Sequence, residues 1–217
     1  MRRYLVTSVL CALLVASCAA PRHRSPPPDL AGAYPGELRS PRTLGAQLVW
    51  RQIVDATWPE GSEGFDAAVQ VQGDTMLVVG LSPIGRPGFV IRLTGTDVEV
   101  DNESGMELPI PPRFVLLDVQ RVSFPWFEGE RDLVQGERSA VMFGERVTEV
   151  WTDGRLAERR FERVDGEPAG VIRVTYEWGR ADWIGPTRAV LDNGWYGYRL
   201  DIRTHAETRI DDARGGA

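Results

Sequence analysis

The sequence predicts an antiparallel, mainly β domain of the sandwich or barrel kind, with one or a few short helices. Three observations predict it. From about residue 46 the apolar residues recur with a period of two. Clean alternation marks strands with one dry and one wet face, which is the habit of antiparallel sheets. Turn signals recur at roughly ten-residue spacing, as in sandwiches and barrels. A single segment, 111–126, breaks the rhythm and reads as a helix.

In chain order, the first segment is an address. Met1-Arg2-Arg3 precedes an apolar run through Leu14, which is too short for the ~20 residues of a spanning helix and fits a signal peptide over 1–17. Val15-Ala16-Ser17-Cys18 resembles the bacterial lipobox, in which the Cys is acylated with chains such as palmitate and becomes the new N-terminus. Cys18 is thus the expected lipid anchor. Each buried CH₂ of such chains contributes ~0.8 kcal/mol, so several chains hold a domain on a membrane. Ala19 follows the Cys where Asp would signal inner-membrane retention, so the expected location is the outer membrane, facing the periplasm. Removal of the signal takes Cys11 with it. The mature chain then has no free thiol, and therefore no disulfide or Cys-based metal site.

Residues 18–42 hold Pro21, Pro26, Pro27, Pro28, Pro35 and Pro41 among Arg, Ser and Gly. Such a composition favours extended polyproline II and reads as a tether. The domain itself is expected over 43–210, with 211–217 as a tail.

Inside the domain, Phe65, Ala67, Val69 and Val71 alternate with polar or small residues. The same holds for Phe89, Ile91 and Leu93, for Ile172, Val174, Tyr176 and Trp178, and for Tyr198, Leu200 and Ile202. Gln72-Gly73-Asp74, Thr94-Gly95, Asp153-Gly154, Asp165-Gly166 and Asn193-Gly194 supply the turns, and the Asp-Gly and Asn-Gly pairs are hairpin markers. The segment 111–126 begins with Pro, where a helix tolerates it, and stops at Pro125. Val115, Val119 and Val122 share one side, while Phe114, Leu117 and Phe124 lie on a second. A helix this apolar must be covered around most of its circumference, and a curved sheet would do so.

The lipobox, the Pro-rich lead, the strands Leu48–Ile53 and Phe65–Val71, the run Gly80-Leu81-Ser82-Pro83-Ile84-Gly85, the Pro-flanked helix and the closing Tyr196–Ile202 together resemble a family of bacterial outer-membrane lipoproteins. It is domain-of-unknown-function family 3261, whose genes often occur in aryl polyene clusters. Phe124-Pro125-Trp126 departs from the family pattern of an aromatic pair before Pro. The family is similar in architecture to LolA and to LolB, the outer-membrane receptor for lipoproteins. The resemblance implies an antiparallel sheet curled into an open half-barrel, with short helices over an apolar cavity.

The chemistry-bearing residue types narrow the function. The chain has 31 acidic against 25 basic residues, a poor composition for nucleic-acid binding. Every basic residue is Arg, so a P-loop or Schiff-base Lys is excluded. No nucleophile elbow, zinc motif or EF-hand pattern occurs. His23 lies in the tether and His205 near a strand end, and neither has the partners of a zinc site. No enzyme activity, cofactor or metal is expected. Glu128, Glu130, Asp132, Asp211 and Asp212 read as solvated charge.

What remains is apolar surface. Seven Trp are available for a core or a cavity. Phe114 and Leu117 on the helix, Trp126 at its exit, and Tyr176 and Trp178 on a strand are the expected cavity residues. The expected function is an outer-membrane-anchored periplasmic lipoprotein that binds or carries a hydrophobic ligand (a lipid, acyl chain or aryl polyene) between sheet and helix. The alternative is a structural lipoprotein that docks an envelope protein complex without a ligand.

Overall fold

The computed structural model describes residues 34–81, 87–102, 110–127 and 134–210. The signal peptide, Cys18, most of the Pro-rich lead, Glu128, Glu130, Asp132 and the tail lie outside the described residues. Among the described residues no helix is long and apolar enough to cross a membrane.

The chain runs as strands β1 (Leu48–Trp58), β2 (Gly61–Gln72), β3 (Thr75–Leu81), β4 (Pro87–Thr94) and β5 (Asp97–Asp101), then helix α1 (Pro112–Ser123). Six more strands follow: β6 (Gly136–Met142), β7 (Glu145–Thr152), β8 (Arg155–Arg163), β9 (Val171–Glu177), β10 (Arg188–Asn193) and β11 (Tyr198–Arg209). They form one 11-stranded sheet in the order β5-β4-β3-β2-β1-β11-β10-β9-β8-β7-β6. Every pairing is antiparallel. Two meanders thus spread outward from β1 and β11, the one pair of neighbours distant in sequence. Helix α1 connects the two outer strands across one face. It touches β4 and β5 on one arm and β10 on the other, so the open sheet bends around it.

The alternation read in the sequence sets the inner face. Trp50, Val54 and Ala56 of β1, Val69 and Val71 of β2, and Ile91 and Leu93 of β4 are buried, as are Leu200 and Ile202 of β11. The edge strand β5 buries nothing; Asp97, Glu99 and Asp101 line it, which discourages pairing with another edge.

The turns follow the sequence in part. Asp153 and Gly154 both have positive φ, 53° and 71°, and close the β7–β8 hairpin as an Asp-Gly pair should. Asn193-Gly194 does not make such a two-residue turn. The buried Asn193 side chain instead accepts from the backbone N–H of Trp195 (3.1 Å) and Tyr196 (3.2 Å), organising a longer loop to Tyr198.

Two boundaries move. The helix ends at Ser123 rather than at Trp126, since Pro125 biases Phe124 to the extended conformation it shows. The described end of the lead, 34–42, is packed into the domain rather than held off it. Tyr34 and Leu38 are buried, and Pro41–Leu44 form a 3-10 turn. Composition alone cannot show this, because a few anchoring side chains suffice to order a polar segment.

Candidate functional site

On the inner face, between α1 and the β1–β4 arm, lies a cavity of about 400 Å³. Its roof is Val115 and Val119, one helical turn apart on α1. Its floor comes from β1, β2, β3, β4 and β11. The space exists because inward positions of the floor carry very small side chains: Ala56, Ala67 and Gly80. Ala67 and Gly80 are direct register partners, so two of these lie side by side. Gly80 also lets the Phe89 ring lie down on the sheet; a Cβ there would stand 2.2 Å from that ring. Half-buried Trp58, Phe65, Phe89 and Ile110 form an apolar rim, where Phe65 and Phe89 meet edge to face at 6.4 Å.

One polar group of α1 reaches the wall, Asp118. It belongs to a buried network. The hydroxyls of Tyr34 and Tyr198 each donate to one of its carboxylate oxygens. Asn193 Nδ2 donates to the Tyr34 oxygen at 2.8 Å. Arg121, one turn along α1 and fully buried, lies 3.6 Å from Asp118 and donates to Glu145 Oε1 at 2.8 Å and to the Pro35 carbonyl at 2.8 Å. Its guanidinium stacks 4.6 Å from the Tyr34 ring centre. Burial pushes the Asp118 carboxyl above its ordinary pKa, against the pull of Arg121 and the tyrosine hydroxyls. Burial likewise raises Glu145, with Arg121 opposing. Burial works against the Arg121 charge, but Tyr34, Glu145 and Asp118 outweigh it and raise its pKa. The guanidinium therefore stays charged while its two carboxylates compete for it.

The family model described as "Protein of unknown function (DUF3261)" matches residues 49–206. The chain belongs to this family. The DUF3261 match takes in nearly all of β1, the whole cavity floor, α1 and the strands to β11, and leaves out Tyr34 and the packed lead. None of the curated proteins matches the chain in sequence. Three solved structures are similar to this DUF3261 member. A LolA superfamily protein from Nitrosomonas europaea is 14% identical with a TM-score of 0.46, over 80% of this chain and 89% of that one. A domain from Vibrio parahaemolyticus, described as that of an outer membrane lipoprotein-sorting protein, is 11% identical with a TM-score of 0.43, over 76% and 85%. The Mycobacterium tuberculosis lipoprotein LppX is 11% identical with a TM-score of 0.36, over 76% and 88%.

The residues chosen from the sequence go to three places in this DUF3261 domain. Phe114 and Leu117 point away from the cavity: Phe114 stacks on Tyr34 at 4.0 Å between ring centres, and Leu117 lies beside Gly36. Trp126 is core, edge to face on Phe161 at 4.9 Å. Tyr176 and Trp178 stack on each other at 6.1 Å and line a separate hollow on the far arm. The physical reason is general. Large apolar side chains fill space, and a void persists where small ones face it. Cys18 lies outside the described residues.

Proposed function

We propose that this chain is a membrane-tethered binding protein that takes an apolar chain of a lipid, acyl or polyene type into the cavity beneath Val115 and Val119. It holds or carries that chain at the periplasmic face of the outer membrane. The observation that carries the reading is the unfilled space of about 400 Å³ over a floor of Ala and Gly, within the usual size of a small-molecule site. The driving force is burial. An octyl chain leaving water gains about 6 kcal/mol at ~0.8 kcal/mol per methylene, part of which offsets lost freedom. No covalent chemistry is called for. Asp118 gives the apolar cavity one polar end, suited to a hydroxyl or amide rather than to a second carboxylate.

The test is displacement. N-phenyl-1-naphthylamine should bind the purified chain saturably with a rise in fluorescence, and lauryl alcohol (1-dodecanol) should displace it in proportion. Absence of saturable binding refutes the reading. The tether has its own check: Cys18→Ser should move the protein from the membrane to the soluble or uncleaved fraction, and unchanged partitioning overturns the anchor.

A further inference from the structure

A second hollow, of about 260 Å³, lies past the C-terminal end of α1, between residues 122–127 and strands β7–β9. Its chemistry differs from that of the first. Trp151, Tyr176 and Trp178 line its wall with aromatic surface. Arginines sit against those rings: Arg138 is 5.3 Å from the Trp151 centre, Arg159 5.8 Å from Tyr176 and Arg155 5.9 Å from Trp178.

The charges do not cancel. Among the described residues Glu149 is the only carboxylate lining the hollow. Both its oxygens are engaged. Oε1 accepts from Arg159 Nε at 2.9 Å and Nη2 at 2.7 Å, and Oε2 accepts from Arg138 Nε at 2.9 Å and Nη2 at 2.7 Å. Trp151 Nε1 donates to Oε2 as well, at 3.2 Å. One carboxylate thus serves two guanidinium groups and leaves an excess positive charge. Glu149 and Arg159 are buried, so that excess is weakly screened. Arg155, exposed at the start of β8, adds another and forms no ion pair among the described residues.

We infer that this hollow is a binding site, separate from the apolar cavity, for a small organic anion with a flat aromatic body. The Trp and Tyr faces take the body by stacking, and Arg155 takes the anionic group by charge-assisted hydrogen bonds. Arg138 and Arg159, already held by Glu149, set the field rather than the grip. A neutral aromatic keeps the stacking and loses the ion pair. An aromatic cation meets like charge. This inference does not depend on the proposed carrier role.

Calorimetric titration of the full chain with 2-naphthoate and with its neutral isostere 2-naphthamide, at low ionic strength, tests it. Saturable 2-naphthoate binding, at least ten-fold tighter than that of the amide, is expected. Arg155→Gln should weaken 2-naphthoate at least ten-fold and leave the amide unchanged; Arg155 is exposed, so the fold tolerates the change. Ala67→Trp, which fills the apolar cavity on the other arm, should leave 2-naphthoate binding intact. Equal affinity for acid and amide, no saturable binding, or loss of 2-naphthoate binding in Ala67→Trp with none in Arg155→Gln overturns the assignment.

Discussion

Ala67→Trp asks whether the space under α1 is empty and whether it is the site, and it reads the two separately. Ala67 is 6% exposed, faces the cavity from β2 and has Gly80 beside it, so an indole there has room to project beneath Val115 and Val119. If the space is empty, the ring fills it. Cavity-filling changes commonly add about 0.5–2 kcal/mol. At roughly 2–4 °C per kcal/mol for a domain of this size, Tm rises by a few degrees. If side chains already occupy the space, the ring overpacks it at about 1–3 kcal/mol and Tm falls. Binding moves independently. Excluding an octyl chain forfeits about 6 kcal/mol of burial, roughly four orders of magnitude in affinity. The measurements are a thermal melt by circular dichroism and titration with N-phenyl-1-naphthylamine. A Tm held or raised with binding lost is the expected pair. A fall of several degrees, or wild-type binding in the filled variant, refutes the reasoning.

The buried network makes a second prediction. Arg121→Leu leaves Glu145 and Asp118 without their cation and should cost about 3–5 kcal/mol in urea melts. The double variant Arg121→Leu/Glu145→Leu should recover part of that loss, and failure to recover any would place the cost in packing alone. Gly80→Ala sets a Cβ 2.2 Å from the Phe89 ring and should cost about 1–3 kcal/mol, with Phe89→Leu restoring much of it. The pH dependence follows from two carboxyls of opposite sign. Burial opposes the Glu149 charge, but Arg159 and Arg138 hold its carboxyl below the ordinary 4.5. Its contribution is therefore present above that value and lost as pH falls through the folded pKa, so Glu149→Gln should flatten the acid side of a stability–pH curve. Asp118 is raised from 3.8 by burial, so its contribution is full below that value and lost as pH rises through the raised pKa. Asp118→Asn should remove that loss, measured as urea midpoints against pH.

The strands were legible because one face is dry and the other wet, a contrast that period-two alternation writes directly into Phe65–Val71 and Tyr198–Ile202. The helix was legible because Pro flanks it on both sides. The cavity was hidden by its own cause. Ala56, Ala67 and Gly80 make space by what they lack, and in a strand they read as weak apolar positions. The signal was present: small residues recur at inward positions of neighbouring strands while Val, Ile and Leu fill the inward positions nearby. Seeing it requires knowing the register that sets Ala67 against Gly80. The polar network was hidden for a related reason. Asp118 and Arg121 at i, i+3 look like an ordinary surface pair, and nothing local says that Glu145 and Tyr34 complete it. Tyr34 also sits in a stretch whose prolines and charges read as tether.

The network explains why the cavity stays open. Hydrophobic burial is non-directional, so alone it would draw α1 onto the Ala and Gly floor until the void closed. Directional contacts oppose that motion, and they lie on the side of the helix away from the cavity or at its edge. Arg121 is held by Glu145 and the Pro35 carbonyl, and Asp118 by Tyr34 and Tyr198. Gln120 accepts from the Arg39 N–H at 2.9 Å and donates to its carbonyl at 2.6 Å, as a neighbouring strand would. Arg113 donates to the Gly36 carbonyl at 2.6 Å. The lead segment is therefore strapped along α1 by side chains of four different helix positions. Sliding the helix into the void would break a buried ion pair, at about 3–5 kcal/mol, before the gain from new apolar contact is complete. The helix stands off the floor because charge and hydrogen bonding fix it there, and the unfilled space beneath it is the consequence.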